Sequence, residues 1–192
     1  MSKKDASLIE RISPLATRST HERFVAVGDK LVRAKARSAA ENARLREIHI
    51  FHQGDPDTLQ RMLNAVQPGS YLRPHRHLDP PKSEAFVILQ GAAGFIAFED
   101  DGSVLEENFA LIDPARGYYM VDCRPGVWHA FFALAPDTVV FEVKQGPYSA
   151  LSDKDFAPWA PPPESEQASA YLAELEDRFR KHWDLPPRSW KP

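Results

Sequence analysis

The chain has 192 residues, a length that suits one domain with a sizeable core and some additional segments. Its formal net charge of −3 gives no overall sign of a nucleic-acid or membrane-surface partner, and its single cysteine, Cys123, excludes an intrachain disulfide. No stretch approaches the apolar length of a membrane span, and the first residues lack the apolar run of a secretory signal, so we predict a soluble, cytoplasmic protein.

The first part of the chain, residues 1–47, is predicted to be a tail followed by a helical segment. Residues 1–20 show no clear periodicity. From His21 to Arg46 the sequence is rich in alanine, with apolar residues at helical intervals, and we expect Gly28 to divide the helix and Asp29 to cap its second piece. This segment is also basic, but a solvated helix face is the simpler interpretation, and no nucleic-acid partner is predicted.

The second part, residues 48–150, has a different pattern. Short apolar runs of strand length alternate with turn signals, as in EAFVILQ followed by GAAG, and WHAFFAL followed by APD. β-Branched and aromatic residues are common within the runs, and nothing in this part is typical of a long helix. Many short strands at fairly even spacing predict an all-β sandwich or barrel.

The third part, residues 151–192, begins with the proline-rich loop DFAPWAPPPES and continues as a predicted amphipathic helix. Its apolar stripe consists of Ala168, Tyr171, Leu172, Leu175, Phe179 and Trp183. We expect this stripe to pack on the β body or on a partner chain, and Asp177 and Lys181 to form a surface ion pair. The last residues, with PPR and WKP, are predicted to form a loose tail.

Residues with metal-binding chemistry are concentrated in GSYLRPHRHLDPPKSEAFVILQG, residues 69–91, and in RPGVWHAFF, residues 124–132. In an extended strand alternate side chains point to the same face, so His75 and His77 would direct two imidazoles at one spot. Glu84 has the parity of Phe86 and Ile88, which places its carboxylate at the end of an inward-facing apolar row.

These two stretches resemble the motifs of the cupin superfamily. The first motif is matched by Gly69, His75, His77, Glu84 and Gly91, except that six residues rather than three or four separate His77 from Glu84. In the second motif Gly126 and His129 match the centre, and Gly117 is an offset equivalent of the opening glycine. Pro125 comes one place late, and Ala133 stands where asparagine is usual.

A closer resemblance is to the WbuC family of cupin-fold metalloproteins. It is carried by LQRMLNAVQPGSYLRPHRHLDPPKSEAFVILQG, FEVKQGPY and DKDFAPWAPPPE, and it extends over roughly residues 46–164. In that family a long insert with two prolines before the glutamate is normal. The two terminal helical segments lie outside the likeness.

The resemblance implies a double-stranded β-helix, or jelly-roll barrel, flanked here by an N-terminal and a C-terminal helix. It also implies one metal ion bound by His75, His77, Glu84 and His129. Three imidazoles and one carboxylate suit a first-row divalent ion such as Fe, Mn, Co, Ni or Zn. One or two coordination positions would stay open for water or substrate, as in catalytic sites.

Several further side chains are candidates for a ligand pocket. Arg73 shares the parity of the two strand histidines and would suit a carboxylate, a phosphate or sugar hydroxyls. His52 either lines the cavity as an acid–base residue or caps the barrel mouth. The remaining candidates for ligand binding are Gln60, Asn64, Lys82 and Tyr148.

Other polar or aromatic residues near these motifs are assigned structural positions. By parity, Arg76 should point away from the barrel and His49 should lie on the other side of its strand. Glu142 and Lys144 alternate with apolar neighbours and are expected to face solvent. Trp128 is expected to pack between sheets.

The function is left open between three hypotheses. The first is a metal-dependent enzyme, of isomerase or epimerase type, acting on a small sugar or sugar-acid-like molecule linked to surface-polysaccharide metabolism, as the resemblance implies. The second is a non-enzymatic, metal-dependent module that binds a small ligand. The third is a ferrous dioxygenase. Because cupin barrels commonly pair, and because the C-terminal stripe has limited space to be buried, we also predict a homodimer.

Overall fold

The structure, a computed structural model, describes residues 9–192 and is mostly β. The strands are β1 Ile9–Ser13, β2 Ala16–Ser19, β3 Arg46–Ile50, β4 Leu59–Val66, β5 His75–Arg76, β6 Glu84–Gln90, β7 Ala93–Phe98, β8 Phe109–Ile112, β9 Met120–Cys123, β10 Trp128–Ala133, β11 Thr138–Gln145 and β12 Asp155–Phe156. The helices are α1 Asp29–Glu41 and α2 Gln167–His182, and two short 3₁₀ turns flank β8.

The strands form two sheets. The larger has seven strands in the order β1-β2-β3-β4-β11-β6-β9, and the smaller has five in the order β12-β5-β10-β7-β8. Apart from the parallel pair β2–β3, the paired strands are antiparallel. In the centre of each sheet the neighbours are far apart in the sequence, as in the pairs β4–β11, β6–β11 and β5–β10, so residues from distant motifs meet between the sheets.

Three hydrophobic clusters divide the molecule into four layers. The cluster between the sheets includes Phe86, Ile88, Phe95 and Phe131. On the outer face of the five-stranded sheet, residues of β7, β8 and β10 pack against α2. On the outer face of the seven-stranded sheet, residues of β4 and β11 pack against α1. Each sheet therefore has one face toward the barrel interior and one under a helix.

The predicted mostly β cupin fold with an N-terminal and a C-terminal helix is confirmed. Each apolar run predicted as a strand from residue 48 onward overlaps a strand of the structure. The division of the chain at residues 47 and 150 stays a prediction. Within the described residues, no helix is long and apolar enough to cross a membrane.

The prediction for the N-terminal segment was partly wrong. Residues 9–19 form β1 and β2, which extend the larger sheet beside β3. The helix begins only at Asp29, because Gly28 is extended with a φ of −139°. Asp29 does not cap the helix; its carboxylate lies 3.3 Å from the Arg33 guanidinium, one turn along. The preceding residues include β-branched Val25 and Val27, which favour extended structure.

The orientation predicted for β11 was also wrong. Glu142 and Lys144 are buried and share the interior face with Val140, while Val139 and Phe141 face α1. The alternation of the two faces along β11 was predicted correctly. The apolar face, however, is the outer face of the sheet, and α1 packs over it. The interior of this end of the barrel is therefore polar.

The C-terminal region is more ordered than the sequence indicated. The apolar stripe of α2 packs on the chain's own smaller sheet, where Phe179 is fully buried. Trp128 also lies there, on the outer face beside Trp159, instead of between the sheets. The residues after α2 are held in place: Trp190 Nε1 donates to Glu176, and Asp177 pairs with Arg188 at 3.0 Å, not with Lys181.

Candidate metal centre

Four side chains predicted as metal ligands meet inside the barrel. His75 is on β5, Glu84 opens β6 and His129 is on β10, where it is the register partner of His75; His77 follows β5. One ligand atom from each of the four lies within 4.8 Å of the others. All four residues are at most 5% exposed.

Each of the three imidazoles is held at its Nδ1 atom by a backbone carbonyl. His75 Nδ1 lies 3.1 Å from Arg73 O, His129 Nδ1 lies 2.9 Å from Val127 O, and His77 Nδ1 contacts Asp153 O. A carbonyl can only accept, so each Nδ1 carries a proton, and in a neutral ring Nε2 then presents a lone pair. This is the tautomer and the second-shell arrangement that metal-ligating histidines use.

The inward-facing atoms of the group lack ordinary partners. His77 Nε2, His129 Nε2 and Glu84 Oε1 are buried without a well-formed hydrogen bond, although Glu84 Oε1 lies 2.5 Å from His129 Nε2 and 3.5 Å from His77 Nε2. Buried polar atoms are normally satisfied, and leaving several together is costly. A divalent cation would satisfy them all at once, so these residues fit a first-row metal ion.

The electrostatics of the four residues agree with a cation site. Burial, followed by the positive charge of Lys154, keeps the pKa of His75 well below its ordinary value, so His75 is neutral. Burial alone would raise the pKa of Glu84, but its close contacts with His129 and His77 hold that pKa well below the usual range. Burial opposes charge on His129, but Cys123 and Glu84 raise its pKa to about 10. Metal binding would therefore release a proton from the Glu84–His129 pair.

A buried charge cluster supports the loop that holds His77. Asp153 accepts from Lys82 at 3.0 Å and from Lys144 at 2.6 Å, and Lys82 also donates to Pro147 O. Lys82 was predicted as a candidate for ligand binding, but it is 3% exposed and already paired with Asp153. Its role is to fix Asp153, whose backbone oxygen orients the His77 ring.

A polar cavity of about 340 Å³ opens on the interior face of β3, β4 and β11. It brings together four predicted pocket residues, His52, Gln60, Asn64 and Tyr148. His52 Nδ1 lies 3.1 Å from the Arg61 N–H and 3.2 Å from Arg61 O, so the backbone of Arg61 holds the ring in place with either ring nitrogen protonated. Burial lowers the pKa of His52 and so favours the neutral form of the ring. As predicted, His49 lies outside this cavity, packed between Thr17 and Ser19.

Glu142 also lines this cavity, and the sequence analysis had assigned it to solvent. Its Oε2 atom lies 2.5 Å from Asn64 Nδ2, and burial, followed by the negative charge of Glu84, raises the pKa of its carboxyl group. The alternation of β11 does place Glu142 and Lys144 on one face of the strand. Because both faces of β11 are covered, alternation alone does not indicate which face points into the barrel.

Arg73 lines a second cavity, of about 370 Å³, together with the metal-candidate residue His75. One of its guanidinium nitrogens donates to Ala157 O at 2.7 Å, and the group lies over the Phe156 ring, 5.5 Å from its centroid. Arg76 points away, as predicted, and pairs with Asp155. Lys154 lines both cavities, and no motif in the sequence had indicated it.

Comparisons with known proteins give limited information. A family model described as a domain of unknown function, DUF6016, matches residues 27–110, which is under half of the chain. No curated protein matches. The match begins before α1 and ends in β8, so it includes three of the four convergent residues but not His129.

Solved structures with a similar fold share little sequence with this chain. The capsular polysaccharide assembling protein CapF from Staphylococcus aureus is 21% identical over 58% of this chain and 29% of its own, with a TM-score of 0.44. KdgF from Halomonas sp. is 17% identical over 55% and 81%, with a TM-score of 0.41. A cupin 2 domain-containing protein from Halorhodospira halophila is 15% identical over 71% and 81%, with a TM-score of 0.41.

The chain thus spans under a third of the length of CapF. Similarity at these levels gives no information on function. The barrel and its buried histidine–glutamate group define a cupin-like protein with a possible metal site. The resemblance to the WbuC family stays a prediction, as does the homodimer.

Proposed function

We propose that this protein binds one divalent first-row metal ion through His75, His77, Glu84 and His129, and through that ion a small oxygenated, sugar-like molecule. The observation that carries the proposal is the set of three imidazoles whose Nδ1 atoms are all held by carbonyl oxygens. Their Nε2 atoms converge with one carboxylate in a buried space. Glu84 Oε1 and His129 Nε2 lie 2.5 Å apart, but His77 Nε2 is left without a hydrogen bond, and a cation among the four residues would satisfy these atoms together.

The metal, when bound, supplies a Lewis acid that polarises an oxygen of the ligand. The side chains of the polar cavity then determine which molecules fit. Asn64 fixes the Glu142 carboxylate at 2.5 Å, and Gln60 is fixed by its own bond to Asp57 O at 2.9 Å. His52, held at Nδ1 by the backbone of Arg61, lines the same cavity. These fixed hydrogen-bonding groups favour a compact molecule with several hydroxyl groups.

Burial and the negative charge of Glu84 raise the pKa of Glu142, which is the direction of shift that suits a proton-exchanging carboxyl group. This observation favours an enzyme over a passive binding module. We infer an isomerase- or epimerase-type reaction on a sugar-like molecule linked to surface-polysaccharide metabolism, in line with the resemblance to the WbuC family. A homodimer belongs to the same proposal, although the apolar face of α2 is already buried within the chain.

Elemental analysis of protein purified without chelators or affinity metals tests the metal site. We expect one equivalent of a first-row divalent metal per chain, removable by a chelator and restored by that metal. Protein that folds normally but neither contains nor takes up a stoichiometric metal would refute the proposal.

A further inference from the structure

The cavity next to His75 has an unusual concentration of positive charge. Four cationic side chains line it: Arg44, Arg46, Arg73 and Lys154. Glu164 is the one acidic residue among its lining residues. The chain as a whole has a net charge of −3, so this local excess is not a consequence of composition.

Within residues 9–192, none of these four cations forms an ion pair with a carboxylate. Arg46 donates to Tyr71 O at 2.5 Å and Arg73 to Ala157 O at 2.7 Å, both neutral acceptors. By contrast Arg76, three residues beyond Arg73, has Asp155 as a partner at 3.3 Å. Like charges around one cavity repel each other unless an anion enters, so the cavity is prepared for a negatively charged group.

Lys154 connects this cationic cavity with the polar cavity. Its side chain is exposed to solvent and lines both cavities, so one ligand that occupies both can contact its ammonium group.

We propose that the cationic cavity binds the phosphate group of a phosphorylated, polyhydroxylated substrate, whose hydroxyl-bearing body extends past Lys154 into the polar cavity and reaches the metal. This inference rests on the proposed function, since His75 forms part of the cavity lining. A phosphate monoester matches four cations better than a carboxylate does, because it has three acceptor oxygens and nearly two negative charges at neutral pH. Guanidinium groups bind such oxygens in pairs.

Calorimetric titration with inorganic phosphate tests the cavity, using metal-loaded and chelator-treated samples of the full chain. The informative variants are Arg44→Ala and Lys154→Ala, since neither side chain bonds to other described residues. Each should weaken phosphate binding about tenfold, the scale of a lost hydrogen bond to a charged group. Arg46 and Arg73 are less suitable, because each supports a backbone carbonyl. Arg33→Ala, on the exposed face of α1, removes the same charge elsewhere and should leave phosphate binding unchanged.

The inference is supported if phosphate binds in both samples with this dependence on Arg44 and Lys154, and if acetate binds at least tenfold more weakly. It is overturned if phosphate does not bind, if acetate binds equally well, or if Arg33→Ala weakens binding as much as the other two changes. Elemental analysis of the same samples separates the two proposals: a protein with stoichiometric metal but no arginine-dependent phosphate binding retains the proposed metal site and loses the phosphate site.

Discussion

The buried His49 and the three buried histidines of the candidate metal centre differ in their hydrogen bonds. His49, which is fully buried beside α1, has a hydroxyl partner at both ring nitrogens: Thr17 Oγ1 at 2.8 Å and Ser19 Oγ at 2.9 Å. Lys35 completes this cluster by donating to Thr17 Oγ1. In the three histidines of the candidate metal centre a backbone carbonyl holds each Nδ1 atom, and the Nε2 atoms converge with the Glu84 carboxylate.

The difference indicates what each group does. Every polar atom of the His49 ring is satisfied by the protein, so the cluster stabilises the packing of α1 and β2 on the sheet and needs no ligand. In the metal-candidate group the outer ring nitrogens are fixed and the inner ones are left facing each other. An unsatisfied buried cluster has a cost in stability, which is expected where a ligand supplies the missing bonds.

The largest effect should come from His129→Gln. The amide can still donate to Glu84 in the metal-free protein, but it lacks the imidazole lone pair. We expect metal affinity to fall by more than about 100-fold, beyond the 10–100-fold typical of changes to second-shell residues. A competition titration against a chromogenic chelator measures this.

His182→Gln is the matched control for that experiment. His182 lies on α2 and pairs with Glu106 at 3.3 Å near the surface. Metal affinity should be unchanged in this variant. Equal losses in both variants would mean that the four convergent residues are not the metal site.

The second-largest effect should be the contribution of His49 to stability at acidic pH. Burial, followed by the charge of Lys35, lowers the pKa of His49 to about 4 from an ordinary value of 6.5. The unfolded chain therefore takes up a proton below pH 6.5 that the folded protein does not accept until about pH 4. The contribution of His49 to the free energy of unfolding is fully present above pH 6.5. Acidification from pH 6.5 to pH 4 lowers that free energy by about 3 kcal/mol.

Urea denaturation of the wild type and of His49→Gln, both with chelator present, isolates this contribution. The variant should be less stable at pH 7.5, and the difference between the two proteins should shrink by about 3 kcal/mol by pH 4. Since acidic residues titrate in both proteins, only the difference is informative. A difference that stays constant over this range would show that His49 is not held neutral.

Much of the metal-candidate group could be predicted from the sequence, because its geometry is local. The alternation of His75 and His77, and the parity of Glu84 with Phe86, determine the face on which each side chain lies. His129 was predicted as a ligand from its match to the second cupin motif. Its contact with His75 depends on the pairing of β10 with β5, which the spacing of the residues does not show.

The features that could not be predicted depend on which face of a strand or helix another part of the chain packs against. Glu142 and Lys144 were assigned to solvent because nothing in β11 indicates that α1 packs over its apolar side. The cationic cavity joins Arg44 and Arg46 at the start of β3 with Lys154, more than a hundred residues away, and no spacing rule connects them. The tail was predicted to be loose because its partners, Glu176 and Asp177, lie on a helix whose polar face resembled a solvated one.

The smallest effect should come from the buried polar cluster around Glu176, which holds that tail. Glu176 is fully buried, and each of its carboxylate oxygens has one partner at 2.7 Å, Arg180 Nε and Trp190 Nε1. Trp190→Phe removes one donor from a buried carboxylate, so we expect the free energy of unfolding to fall by about 1.5 kcal/mol, with metal content unchanged. Trp183→Phe is the matched control: the same substitution on the same cluster removes an indole N–H that is buried without a partner, so it should cost less than Trp190→Phe. Urea denaturation of both variants decides the point, and an equal loss in the two would mean that the indole rings act through packing alone and that Glu176 does not need its second hydrogen bond.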